Sequence, residues 1–258
     1  MSMKVLILAS NYGLWAEELQ APWDALRKAG FEVTLATKFG KTPLPITVSV
    51  DPDFLDPVQK YHVNPTEVVT RVNEILDGGE WANPIRFDDA KMSDYDALVI
   101  VGGPGAALDI AGNLKVHDLV LQAYKDGKTI GALCYAVAAL NFTRDPDNNN
   151  RSVIYGRKVV AHPHAWDFTA DMSYPLVRTT PDNKGAEIVT SGFVFPLQYM
   201  TQDAVGPSGK VLSDAGANRD RPQVTVDGQF VTGLSVESSR LFGETLVEVL
   251  SRAKVGAG

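Results

Sequence analysis

Short unbroken apolar runs alternate along this chain with stretches of helical periodicity, and most runs end in glycine or a polar turn. VLILA at 5–9 is the first; it is too short for a helix, meets Asn11 and Gly13, and predicts a buried strand. Glu18 to Ala29 then places Leu19, Pro22, Trp23 and Leu26 at helical spacing before Gly30 stops the pattern. FEVTLAT at 31–37 is a second strand, reached by a connection long enough for a parallel crossover. Residues 41–90, with many prolines, Gly78–Gly79 and one helix near Thr66–Leu76, read as a small inserted cap or lobe. The alternation resumes with DALVIVGG at 96–103, a helix from Leu114 to Tyr124, and the strand TIGALC at 129–134. RKVVAH (157–162), EIVTS (187–191) and QVTVDGQFVTGL (223–234, turning at Asp227–Gly228) are further strand candidates before an amphipathic helix over 238–253. Strands alternating with helices, without an internal repeat, predict a single α/β domain: a doubly wound, mostly parallel sheet with helices on both faces.

Composition narrows the partners more than the fold. The 258 residues carry a formal net charge of −7, from 31 acidic and 24 basic residues without a basic run, which opposes nucleic-acid binding. No apolar stretch approaches the roughly 20 residues that span a bilayer, and the first strand lacks the layout of a cleavable signal. A soluble, cytoplasmic protein is the expectation, with a small molecule as its partner, no nucleic acid and no membrane. Four histidines and one cysteine form neither CxxC nor HExxH, so neither a metal site nor a cofactor is expected.

That lone cysteine, Cys134, carries the candidate chemistry. In TIGALCYAVAAL an apolar strand stops at Cys134 and small residues resume as a helix, a strand-to-helix elbow of the kind that lifts a nucleophile out of a sheet. An isolated cysteine after an apolar strand is more often a packing residue; the elbow reverses those odds. The following helix terminus is expected to lower the thiol pKa. VIVGGPGAALD offers the N–H groups of Gly102 and Gly103 at the end of another strand, and with the N–H of Tyr135 they would form an oxyanion hole. Glu17 and Glu18 follow the first strand at the same sheet end, where one carboxyl can reach the thiol or both can simply be first-turn acids. His162, His164 and Asp167 cluster in AHPHAWDF beside another strand end, while Tyr12, Trp15 and Trp166 either line a pocket or cover the core.

With these residues in view, the chain resembles the ThiJ/PfpI superfamily, which groups the parkinsonism-associated deglycase, PfpI-type proteases and chaperone-glyoxalases. The resemblance rests on KVLILAS, ELQAP at 18–22, RKAGFEVTLAT, DYDALVIVGGPGAALD, GKTIGALCYAVAAL, GRKVVAHP and VTVDGQFVTGLSVESSRLFGETLVEVL in this order and spacing. It implies a flavodoxin-like, class I glutamine amidotransferase-like fold and a homodimer. It also implies that Cys134 is the nucleophile, Glu18 its carboxyl contact, Gly103 and Tyr135 the oxyanion donors, His162 the histidine near the thiol, and Asp167 the acid of a triad. The glyoxalase and protease branches usually place histidine directly after the cysteine, where this chain has Tyr135. A phenol with a pKa of about 10 is a poor base at neutral pH, so His162, His164 or Glu18 must handle the proton. The expected function is a cofactor-independent cysteine enzyme acting on a small electrophile, as hydrolase, hydratase or glyoxalase-like lyase. The competing expectation is a stress-response chaperone, a cysteine oxidation sensor, or a pseudoenzyme keeping the fold.

Overall fold

The apolar runs become interior strands of one sheet because they have no polar face to turn toward water. The structure, a computed structural model, describes residues 2–168, 174–178, 187–190 and 195–256. Seven strands form the central sheet: β1 (Lys4–Ala9), β2 (Glu32–Thr37), β3 (Ile85–Arg86), β4 (Ala97–Ile100), β5 (Thr129–Leu133), β6 (Val224–Asp227) and β7 (Phe230–Gly233). Their order is β6-β7-β5-β4-β1-β2-β3, parallel throughout except for the hairpin strand β6. The principal helices are α1 (Ala16–Lys28), α2 (Thr66–Asp77), α3 (Leu114–Lys125), α4 (Val137–Phe142), α5 (Leu197–Val205) and α6 (Ser239–Gly256).

The chain leaves β1 toward β2 on one side and β4 toward β5 on the other, so right-handed crossovers put α1 and α3 on opposite faces. This reversal sets a crevice at the carboxyl ends of adjacent β1 and β4, the place where open α/β sheets bind ligands. On one face α1 and α6 pack together over the sheet, and a Cβ on Gly131 of β5 would stand 2.9 Å from Leu246 and 3.1 Å from Phe242 of α6. Leu19, Trp23 and Leu26 of α1, Val116 and Val120 of α3, and Phe242 and Leu246 of α6 complete the core around Ile7, Val99 and Ile130.

Two expectations change in detail. The strand expected at 157–162 is Lys158–Val160, which pairs with Lys210–Leu212 outside the central sheet. Its N–H groups at Lys158 and Val160 are taken by the side chains of Asp227 and Thr232, which hold it beside the β6–β7 hairpin. Of EIVTS, Glu187–Thr190 pairs antiparallel with Tyr174–Arg178, while Ser191 lies outside the described residues. Residues 41–90 divide in two. Val72, Ile75, Trp81 and Phe87 join the central core and β3 extends the sheet, whereas residues 44–64 lie against the loop after β1. There Ile46 N–H donates to the Leu14 carbonyl, Ser49 accepts from the α1 N-terminal N–H of Ala16, and Asn64 bonds Trp15 and the carbonyls of Val48 and Asp51.

Candidate active site

The thiol stands on a strained turn. Cys134 follows β5 directly with φ of +56°, a left-handed conformation that costs a non-glycine residue of order 1–3 kcal/mol and recurs at functional sites. A short 3₁₀ turn, Cys134–Ala136, leads into α4, and Tyr135 through Leu140 are all buried. Cys134 is itself 3 % exposed, at the floor of a cavity. Two donors face its sulfur: the Ser235 hydroxyl at 3.6 Å, from the end of β7, and the backbone N–H of Gly103. Gly103 achieves this by close approach, with φ of +92° and a Cβ position that would lie 2.3 Å from the Trp15 nitrogen.

Which of the two glutamates faces the thiol is settled by their directions on α1. Glu18 is fully buried beside Cys134, and a Cβ on Gly102 would sit 2.6 Å from its Oε2 and 2.8 Å from the Cys134 Cβ. Only glycine lets acid and thiol meet there. Neither carboxyl oxygen has a hydrogen bond of strict geometry; its polar neighbours are the thiol and the N–H of Gly102. Burial, ahead of the nearby charges of Glu237 and Glu17, raises the Glu18 pKa well above 4.5. The expected lowering of the thiol pKa is not what the environment does: burial and the Glu18 charge push it up, against the Ser235 and Gly103 donors. Each group opposes ionisation of the other, so acid and thiol titrate as one coupled pair.

Glu17 turns the other way, into a bidentate ion pair with Arg219 at 2.9 and 2.5 Å, and Arg219 also donates to the Val63 carbonyl. Burial raises the Glu17 pKa and the guanidinium opposes it. Replacing Arg219 by leucine is expected to strand that carboxylate, costing about 3 kcal/mol and lowering Tm by roughly 6–12 °C at pH 8. The loss shrinks as pH falls and the raised Glu17 carboxyl takes up a proton; thermal melts at pH 8 and pH 5 check this.

His162 Nδ1 stands 2.6 Å from Oδ1 of the fully buried Asp167, across the turn Pro163–Trp166. A carboxylate at Nδ1 puts the basic lone pair of a neutral imidazole on Nε2. His162 lines the same cavity as Cys134, with Trp166 edge-on to its ring at 5.3 Å. Tyr135 fills the space beside this pair: its ring lies 5.4 Å from His162, its hydroxyl donates to the Phe195 carbonyl at 3.1 Å, and it neighbours Asp167. Burial and the Asp167 charge raise the phenol pKa far beyond its ordinary value, so this hydroxyl stays protonated. Tyr135→Phe is accordingly expected to lower stability by about 1 kcal/mol and leave turnover within a factor of three; steady-state rates and melting curves check it.

The cavity, about 240 Å³, gathers Trp15, Glu18, Gly103, Cys134, His162 and Trp166, with Ser235 and a wall of Phe54 and residues 56–59. Tyr12 and His164 are not there. Tyr12 is 52 % exposed with its ring against Phe39, and His164 packs on Tyr199 at 4.2 Å and on Phe168. The peptide N–H of Tyr135 follows the sulfur in the turn, whereas the Gly103 N–H is directed at the sulfur itself. Sequence reasoning took Gly102 as an N–H donor and missed its close approach to acid and thiol, and it passed over Ser235, the wall of Phe54 and residues 56–59, and Glu237, a buried acid near His162 and Arg219. The small polar stretch GLSVESS after a buried strand was the available signal for Ser235 and Glu237. Among the described residues, no group of three or more His, Cys, Asp and Glu is placed to hold a metal ion, and no helix is long and apolar enough to cross a membrane.

A doubly wound sheet that raises a strained cysteine beside its switch point, against a buried glutamate, defines a class of α/β proteins with a thiol elbow. Within that class, the chain belongs to the DJ-1/PfpI family, whose sequence profile matches residues 3–249. It is similar to a glutathione-independent glyoxalase of Schizosaccharomyces pombe, 24 % identical with 95 % of each chain covered. It is also similar to glyoxalase 3 of Candida albicans, 24 % identical, covering 95 % of this chain and 97 % of that one. The solved structure of the Candida albicans glyoxalase III superposes with a TM-score of 0.67 at 22 % identity, covering 95 % and 96 % of the two chains. The Francisella tularensis rapid encystment protein reaches 0.70 at 20 % identity, over 95 % and 98 %.

Proposed function

We propose that this chain converts small 2-oxoaldehydes into 2-hydroxy acids without glutathione, as a glyoxalase-type lyase using its own thiol. The observation that carries the reading is Cys134 on its strained turn, opening into one cavity with Glu18, Gly103, Ser235 and His162. The names of the relatives add support: a glyoxalase that dispenses with glutathione needs another thiol to hold the aldehyde, and this chain has one cysteine.

The chemistry follows from the groups present. The Cys134 thiolate adds to the aldehyde carbon, forming a C–S bond and a hydroxyl that takes the proton Glu18 carries. Nε2 of His162, oriented through Asp167, then removes the hydrogen on that carbon, and the resulting enediol is reprotonated on the neighbouring carbon. The aldehyde carbon thereby reaches the thioester level as the ketone carbon is reduced to an alcohol, so no external oxidant is needed. Water cleaves the C–S bond, releasing the 2-hydroxy acid and the thiol. Gly103 N–H and the Ser235 hydroxyl stabilise charge on sulfur as it attacks and as it leaves.

Incubation with methylglyoxal in glutathione-free buffer tests the reading by enzymatic determination of lactate. Lactate formed in proportion to protein supports it; consumption of methylglyoxal only by stoichiometric adduct formation on Cys134 overturns it.

A further inference from the structure

The cavity holds more than a three-carbon substrate requires. A dry cavity of about 150 Å³ accepts a benzene ring, and this one measures about 240 Å³ with the thiol at its floor. Its non-catalytic surface is hydrocarbon: Trp15, Phe54, Pro57, Val58 and Trp166. Both indole N–H groups are engaged by the protein, Trp15 with Asn64 Oδ1 at 3.2 Å and Trp166 with the Ala215 carbonyl at 3.1 Å. Asp56 turns its Oδ1 into its own loop, accepting from the N–H groups of Val58 and Gln59 at 2.8 and 2.7 Å. Beside Asp56 the wall carries Gln59, whose side-chain oxygen is buried without a hydrogen-bond partner. A buried acceptor left open is costly unless a ligand satisfies it.

We infer that the substrate is a 2-oxoaldehyde bearing an aromatic or comparably large apolar substituent, the simplest being an arylglyoxal, with Gln59 accepting a hydrogen bond from the substrate's hydroxyl. The inference rests on the glyoxalase reading above and specifies its substrate class. The ring replaces water against Trp15, Phe54, Val58 and Trp166, a gain methylglyoxal cannot match with one methyl group. Addition of the thiolate creates a hydroxyl donor, and the 2-hydroxy acid product carries another, so one acceptor in the wall suits both. Gln59 is a specificity residue here and takes no part in moving protons.

The experiment compares kcat/KM for phenylglyoxal and methylglyoxal, and separately the concentrations of mandelate and lactate that protect Cys134 from iodoacetamide, read by intact mass. Phenylglyoxal preferred at least tenfold, with mandelate protecting at tenfold lower concentration than lactate, is the expected result. Val58→Trp, which fills the cavity, is expected to erase that preference. Gln59→Leu should raise the protecting mandelate concentration roughly three- to tenfold. Equal or better use of methylglyoxal overturns the inference and leaves the glyoxalase reading standing. No turnover of either aldehyde, with mandelate still protecting selectively, overturns that reading but keeps the aryl-accepting cavity. No turnover and no selective protection removes both, and mandelate protection indifferent to Gln59→Leu removes the assigned role of Gln59.

Discussion

Cys134→Ala is expected to abolish 2-hydroxy acid formation, with kcat/KM falling at least about a thousandfold while Tm moves by only a few degrees. A thousandfold is roughly 4 kcal/mol of transition-state stabilisation, which suits loss of the atom that bonds to substrate. The fold should tolerate the change because alanine keeps a Cβ, so it neither relieves the positive φ nor collides with Gly102. Cys134→Ser is expected to fare little better than alanine, since a hydroxyl in this buried place has no strong base to ionise it. Steady-state rates with melting curves on the same preparations decide. Retention of more than a tenth of the activity in either variant would move the chemistry off the sulfur.

Glu18→Gln separates reactivity from catalysis. Removing the carboxylate removes a charge that pushes the thiol pKa up, so the midpoint for alkylation of Cys134 is expected to fall. Turnover is nonetheless expected to drop by roughly 10²–10³, because the amide cannot return a proton to the oxygen that develops at the aldehyde carbon. Stability moves in the opposite sense to activity. The Glu18 pKa is raised in the fold, so its contribution is whole below the ordinary value of 4.5 and is lost as pH rises toward the folded value. Over that window the unfolded chain releases a proton that the fold retains, at a cost of up to about 1.4 kcal/mol per pH unit. Glutamine has no such proton, so the variant should gain on the parent as pH rises from 5 to 8. A variant that loses stability relative to the parent over the same range would mean that Glu18 is ionised and paired in the native state.

The sheet was legible because its strands are local facts: VLILA, DALVIVGG and TIGALC are buried on both faces and announce themselves by apolarity alone. The elbow at Cys134 was legible for the same reason, as a strand, a turn and small helical residues lie in one stretch. What the sequence left open was direction. Glu17 and Glu18 are neighbours on one helical turn, and only the placement of Arg219, two hundred and two positions downstream of Glu17, shows which acid faces the thiol. Tyr12 and His164 have the composition of pocket residues, but aromaticity does not say which way a ring points, and theirs meet Phe39 and Tyr199. The wall at Phe54 and 56–59 was hidden because its course is set by long-range tethers, Leu14 with Ile46 and Trp15 with Asn64. At Cys134 burial and the Glu18 charge outweigh the Ser235 and Gly103 donors, and desolvation of a thiolate depends on the whole surrounding fold.

The glycine at 102 has a consequence for how such a protein diversifies. With a Cβ there 2.5 Å from the Leu133 carbonyl and scarcely farther from Glu18 and Cys134, the reacting pair has no slack for gradual revision. The cavity wall at Phe54 and 56–59 is another matter, being one short loop held mainly by its own bonds around Asp56. If the proposed glyoxalase reading holds, descendants of this chain can exchange one wall for another while inheriting the chemistry intact, and an engineer wanting new aldehydes converted has five positions, 54 and 56–59, in which to look first.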